Sequence, residues 1–169
     1  NFEISYKIEK KNNVNSTIRL FFIQKYYNRF FCKQIKMSSG FPLPEIGDIL
    51  HEKYQVTRRI GAGSFGAIFE VQSLENGKLY AAKLENPKVA TPQLNKEHKL
   101  YVLLDAAPGI PRVYDYWTEE SFRAMIMDRL GYSLGYRFHE CGKILSMKTV
   151  LMCAIQMLCR LEYLHQRSF

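Results

Sequence analysis

From residue 54 to residue 128, short blocks rich in β-branched and aromatic residues recur, separated by turn-forming residues. Tyr54–Ile60 and Ala67–Ser73 read as two strands, and Asn76-Gly77 marks a tight turn into a third, Leu79–Glu85. Val113–Trp117 and Phe122–Asp128 read as two more. The last of these is an apolar run breaking into Gly131, which suits a buried strand leaving into a linker. Two stretches follow a different rhythm. Pro92 is placed for the first turn of a helix over Gln93–Leu104, with Leu94, Tyr101 and Leu104 apolar and Glu97 in its middle. Ser146 offers an N-cap for a long amphipathic helix, Met147–His165, where Val150, Leu151, Ala154, Ile155, Leu158, Leu161 and Leu164 recur at three- and four-residue spacing. Its leucines and methionines read as core rather than as a cofactor box.

The 169 residues, 47% of them hydrophobic, suffice for one domain with a sizeable core. Phe41-Pro42-Leu43-Pro44 reads as an extended lead-in, because prolines two apart disfavour helix and regular strand pairing. Residues 37–53 are therefore a lead-in, with the globular part starting near Ile49. The formal charge of +8 suggests an anionic partner until its distribution is considered. Residues 1–36 carry eight basic side chains against Glu3 and Glu9, so most of the excess lies there. That removes the case for nucleic-acid binding by the folded part, although a basic arm interleaved with Phe21-Phe22, Tyr26-Tyr27 and Phe30-Phe31 has the chemistry to bind RNA or an anionic membrane.

The same arm is unusual in another way. The chain starts with Asn, and 24 of its first 36 residues are Phe, Ile, Lys, Asn or Tyr, which A/T-rich triplets encode. Residues 1–36 are expected to be a non-native or disordered basic extension, untranslated in the native protein, which would begin at Met37. A peptide from this region in the native protein would refute this. The extension has no unbroken apolar core or cleavage site of a signal peptide, and no stretch elsewhere is apolar enough to span a bilayer. Cys32, Cys141, Cys153 and Cys159 form no CxxC pair, and His51, His98, His139 and His165 are scattered, so neither a disulfide framework nor a metal site is expected. The expected compartment is the cytoplasm, the nucleus or both.

The candidate chemistry lies at Ile60-Gly61-Ala62-Gly63-Ser64-Phe65-Gly66. Three glycines at this spacing strip Cβ atoms from a tight turn, so that backbone can lie over the phosphates of a nucleotide. The pattern alone is weak. Its flanks say more: the loop joins strand to strand, whereas a dinucleotide-binding Rossmann unit needs a helix directly after the third glycine. Lys83 on the third strand could be no more than an exposed edge lysine, and Glu97 no more than an exposed helix residue. Together, after a glycine loop and a hairpin, they resemble a phosphate-binding lysine and the carboxylate that holds it.

The stretch from Tyr54 to Phe169 resembles the upper half of a eukaryotic protein kinase, and more narrowly the casein kinase I family. The marks are Ile60-Gly-Ala-Gly-Ser-Phe-Gly66, Ala82-Lys-Leu-Glu85, Pro92-Gln-Leu94, His98-Lys-Leu-Tyr101, Gly109-Ile-Pro111, Met127-Asp128 with Leu130-Gly131, and Met147-Lys-Thr-Val-Leu-Met152. Their order and spacing carry the resemblance. It implies an α+β fold: an N-lobe over 54–128 with an antiparallel five-stranded sheet and one helix, a hinge at 128–131, and the first helices of a C-lobe over 132–169, truncated.

It also implies roles. Gly61, Gly63 and Gly66, with Ser64 in the same loop, would cover the phosphates of ATP. Ile60 and Ile68 would pack over the adenine with Ala81. Lys83 would pair with the α/β-phosphates and with Glu97, the two residues of the catalytic set. Met127 would be the gatekeeper, and the backbone of Asp128 and Leu130 would bind the adenine. The reaction would be transfer of the ATP γ-phosphoryl to Ser or Thr of acidic or already phosphorylated protein substrates, with Mg²⁺ neutralising phosphate charge, by a monomer.

Departures accompany the matches. Ala67 stands where the family often has Asp, Arg129 replaces an apolar hinge residue, and Gly135-Tyr136-Arg137 replaces an acidic pair below the hinge. The family would continue past Phe169 into a His-Arg-Asp catalytic loop and an Asp-Phe-Gly segment, which carry the catalytic Asp and the metal ligands. The 169-residue chain is therefore expected to be inactive alone. It is also expected to be aggregation-prone, since each Leu or Ile left exposed on the last helix forfeits about 1.5–3 kcal/mol. The alternative is a non-catalytic nucleotide-binding or interaction module, a truncated pseudokinase.

Overall fold

The computed structural model describes residues 41–63, 66–104 and 107–169. The basic extension, Met37 and Ser64 lie outside the described residues. Six strands and three helices follow: β1 (Ile49–Leu50), β2 (Tyr54–Gly63), β3 (Gly66–Ser73), β4 (Leu79–Glu85), α1 (Leu94–Leu103), β5 (Val113–Thr118), β6 (Arg123–Asp128), α2 (Leu134–Glu140) and α3 (Met147–Gln166). The strands form one antiparallel sheet in the order β1-β2-β3-β4-β6-β5.

The sheet thus has six strands rather than five. The extra one, β1, is two residues long and pairs Ile49 with Gln55 and Leu50 with Tyr54. The return is made by His51 and Glu52, both at positive φ, a conformation that their side chains gave no reason to expect. The β3–β4 turn forms at Asn76-Gly77 as the residues suggest. Gly77 takes a φ of 68°, and the Asn76 side chain accepts a hydrogen bond from the Lys78 N–H at 2.9 Å.

Alternation along the strands sorts apolar side chains onto two faces. One face buries Val56, Phe69, Val71, Ala82, Leu84, Ala124 and Ile126 together with Phe41, so the proline-rich lead-in contributes to the core. This face lies inside a curl. β1 and β5 are opposite edges of the sheet, yet His51 beside β1 stacks on Trp117 of β5 at 4.6 Å and meets Asp115 at 3.3 Å. The other face places Ala81, Met125 and Met127 against Leu94, Leu100 and Tyr101 of α1.

Ser146 caps α3 as expected, its hydroxyl accepting from the Thr149 N–H at 3.2 Å. Most of the α3 apolar residues do not form core among the described residues; they show the exposure expected for the last helix. Only Cys153 and Leu164 are buried, and Met147, Val150, Leu151, Ile155 and Leu158 are exposed. The helix touches the sheet layer through one end. Leu164 joins the α1 cluster, the Tyr163 hydroxyl donates to the Leu104 carbonyl at 2.8 Å, and Arg160 lies so close to Gly109 that a Cβ there would meet its guanidinium. No helix among the described residues is long and apolar enough to cross a membrane.

Candidate active site

Residues opposite one another in neighbouring strands point to the same face of a sheet. The pairings Gly61–Ile68, Ile68–Lys83 and Lys83–Met125 form one row, and Glu70–Ala81 and Ala81–Met127 form the next. Ile68, Glu70, Ala81, Lys83 and Met127 therefore line one surface, the one that α1 overlies. Of the residues picked out from the sequence, the register alone brings Gly61, Ile68, Ala81, Lys83 and Met127 into these two rows.

Lys83 is neither an edge lysine nor an exposed one. Its Nζ donates to Glu97 Oε2 at 2.5 Å, and both side chains are about one-fifth exposed. An ammonium in that position is held by a carboxylate yet still open to an anion. Ile68 packs partly buried against the α1 cluster, and Ala81 and Met127 are buried beside it. Ile60 falls in a shift of register between Arg59 and Gly61 and is exposed.

The glycines divide by cause. A Cβ on Gly61 would lie 3.7 Å from Ile68, an ordinary contact, so nothing in the protein itself forbids one. A Cβ on Gly66 would collide with the Leu84 carbonyl oxygen. Gly66 is thus required by the close approach of β3 to β4, quite apart from any ligand. Gly63 pairs with Gly66 where the loop closes. Asp128 ends β6; its carboxylate accepts from the Arg112 N–H and the Tyr114 hydroxyl, both at 2.9 Å. Leu130 lies two residues on, half-buried in the linker to α2, and among the described residues no backbone partner meets its N–H or carbonyl.

Two carboxylates that the sequence reading assigned no role complete the site. Glu85, 2% exposed, accepts from the Gln93 and Leu94 N–H groups at 2.8 and 3.1 Å. Helix α1 has no side-chain cap of its own, since Gln93 adopts helical dihedrals. Glu85 supplies the acceptor that the orphan donors need. Arg123 meets the other Glu85 oxygen at 3.4 Å and donates to the Pro87 carbonyl at 2.7 Å. β4 therefore holds α1 at two points on one face, Glu85 at its start and Lys83 at Glu97. The signal was present: residues two apart on a strand share a face.

Glu70 accepts from Arg58 at 2.9 and 3.0 Å and from the Thr57 hydroxyl at 3.1 Å, and it also pairs with Arg129. The Arg58 guanidinium, aided by Thr57 and Arg129 against the opposing effect of burial, holds its carboxyl well below the usual range, at about 2.

A fixed ammonium flanked by apolar Ile68, Ala81 and Met127 can hold a ligand that is anionic at one end and flat and apolar at the other. The residues present thus fit a nucleotide. Among the described residues no three His, Cys, Asp or Glu side chains group where a metal ion could be shared. The family model for the protein kinase domain matches residues 54–169, from the start of β2 past the end of α3. The match spans well over half of the chain and supports a kinase-like ATP-binding function; the chain belongs to the protein kinase family.

Proposed function

We propose that this chain is the ATP-binding part of a serine/threonine kinase of casein kinase I type, a monomer of the cytoplasm or nucleus that acts on acidic or phosphorylated protein segments. The observation that carries the nucleotide reading is the Lys83–Glu97 pair at 2.5 Å on the face shared with Ile68, Ala81 and Met127. In this reading the β2–β3 glycines lie over the phosphates and Lys83 donates to the α- and β-phosphate oxygens. Glu97 keeps the ammonium in place, and Met127 backs the purine. The backbone of Leu130, and that of Asp128 apart from the N–H that donates to the Arg112 carbonyl at 2.9 Å, offers hydrogen bonds to the purine edge. Mg²⁺, arriving with ATP, supplies neutralising charge to the phosphates. Transfer would break the bond between the γ-phosphorus and its bridging oxygen, releasing ADP, and make one to the Ser or Thr oxygen, whose hydroxyl proton would pass to the catalytic-loop Asp of the family. The His-Arg-Asp and Asp-Phe-Gly groups that serve that step are not among these 169 residues. The casein kinase I type is supported by the ordered segments from Pro92-Gln-Leu94 to Met147-Lys-Thr-Val-Leu-Met152.

The test is calorimetric titration of the chain with ATP and Mg²⁺. Saturable binding is expected, weakened about tenfold or more by Lys83→Met, since a charge-assisted hydrogen bond is worth about 1.5–3 kcal/mol. Binding that is indifferent to Lys83→Met would overturn the reading.

A further inference from the structure

From Arg129 to Ser133 the linker leaves β6 without ladder partners, so its path is set by side chains. Successive residues of an extended chain point to opposite sides. Asp128 reaches toward β5, where it meets the Arg112 N–H just before the strand and the Tyr114 hydroxyl on it. Arg129 reaches the opposite way, to the Glu70 carboxylate on β3. Glu70 is itself fixed by the bidentate Arg58 and by Thr57 on β2. It is only 5% exposed, and it stands in the same cross-strand row as Ala81 and Met127. A carboxylate so placed is an anchor point in the sheet rather than a solvated charge.

We propose that Glu70 is a positioning residue for the nucleotide: acting through Arg129, it holds the Asp128–Leu130 linker against β2 and β3 and so sets the width of the slot that receives the purine. The inference rests on the nucleotide reading above. Asp128 and Arg129 brace the linker from two sides, and removing one brace frees the purine-binding backbone without touching Lys83. The effect therefore belongs to the purine end of the ligand, not to the phosphates.

The experiment measures Kd for ATP and for adenosine with the full 169-residue chain, as wild type and as Arg129→Met, Glu70→Gln, the double variant and Lys83→Met. Arg129→Met leaves Glu70 paired with Arg58 and Thr57, so it tests the brace even if Glu70→Gln fails to fold. Arg129→Met is expected to weaken ATP and adenosine equally, by roughly five- to tenfold, a coupling of ordinary size between positions that share a conformational equilibrium. Lys83→Met should weaken ATP alone. The double variant should be no weaker than the worse single one, because both substitutions remove the same contact. Wild-type affinity of Arg129→Met for both ligands, a loss confined to ATP, or a double variant whose loss is the product of the single losses would each overturn the proposal while leaving the nucleotide reading intact. A wild-type chain that binds neither ligand overturns both.

Discussion

β6 and α3 are both apolar runs, and their fates differ. In β6, Ala124, Met125, Ile126 and Met127 are all buried, because a central strand has packed neighbours on both faces. In α3, Ile155 and Leu158 remain 62% and 64% exposed, while Tyr163, Leu164 and Arg160 near its far end make contact with α1 and the loop that follows it. Burial belongs to the neighbours an element finds, not to its composition. The sheet with α1 is therefore where stability is concentrated, and α3 contributes chiefly through its anchored end.

The sharpest way to break this contrast is to make the same truncation in both places. Leu84 is fully buried in β4, and Leu84→Ala is expected to cost about 2–5 kcal/mol through lost transfer energy and the cavity left behind. Leu158→Ala on α3 should change stability by no more than about 0.5 kcal/mol. Urea unfolding of both variants checks this, and comparable losses would mean that α3 packs as fully as the sheet.

A smaller effect is expected at the joint between β4 and α1. Glu85→Gln keeps an acceptor for the Gln93 and Leu94 N–H groups but removes the charge that Arg123 faces. The expected loss is about 1–3 kcal/mol, typical of weakening a buried hydrogen bond to a charged group. Amide hydrogen exchange should speed up in the first turn of α1 and not in α3. Uniform acceleration in both helices would show that α1 is not held separately from α3.

How far these features can be read from sequence depends on whether they are local. The strands from Tyr54 to Asp128 follow their β-branched and aromatic residues closely, and Lys83 and Glu97 were placed by spacing within one hairpin and the next helix. β1 escaped because two residues form no pattern. The residues of α2 showed no apolar stripe, since none of them is buried; the helix rests on the Ser133 cap and a Tyr132–Tyr136 stack at 4.4 Å. Periodicity revealed α3 as a helix but could not say what would cover it. The roles of Glu70 and Glu85 stayed hidden for a related reason. A strand position tells which face a carboxylate takes, but Arg129 lies 59 residues from Glu70, and only the folded topology brings the two together.

Acid provides the mildest test of the contrast. Among the described residues the buried carboxylates are Glu70 and Glu85, both on the sheet. Arg58, Thr57 and Arg129 lower the Glu70 carboxyl to about 2 when the chain is folded. A group whose folded pKa is depressed binds its proton more tightly in the unfolded chain, so stability falls as the pH is lowered. The contribution of Glu70 is complete above the ordinary carboxylate value of about 4.5 and is lost as pH drops toward about 2. Melting temperature should therefore fall across that window, and Glu70→Gln, which has no proton to gain, should show a shallower fall from a lower starting point. Parallel curves for the two proteins would mean that Glu70 is no more anchored than a carboxylate on the exposed side of α3.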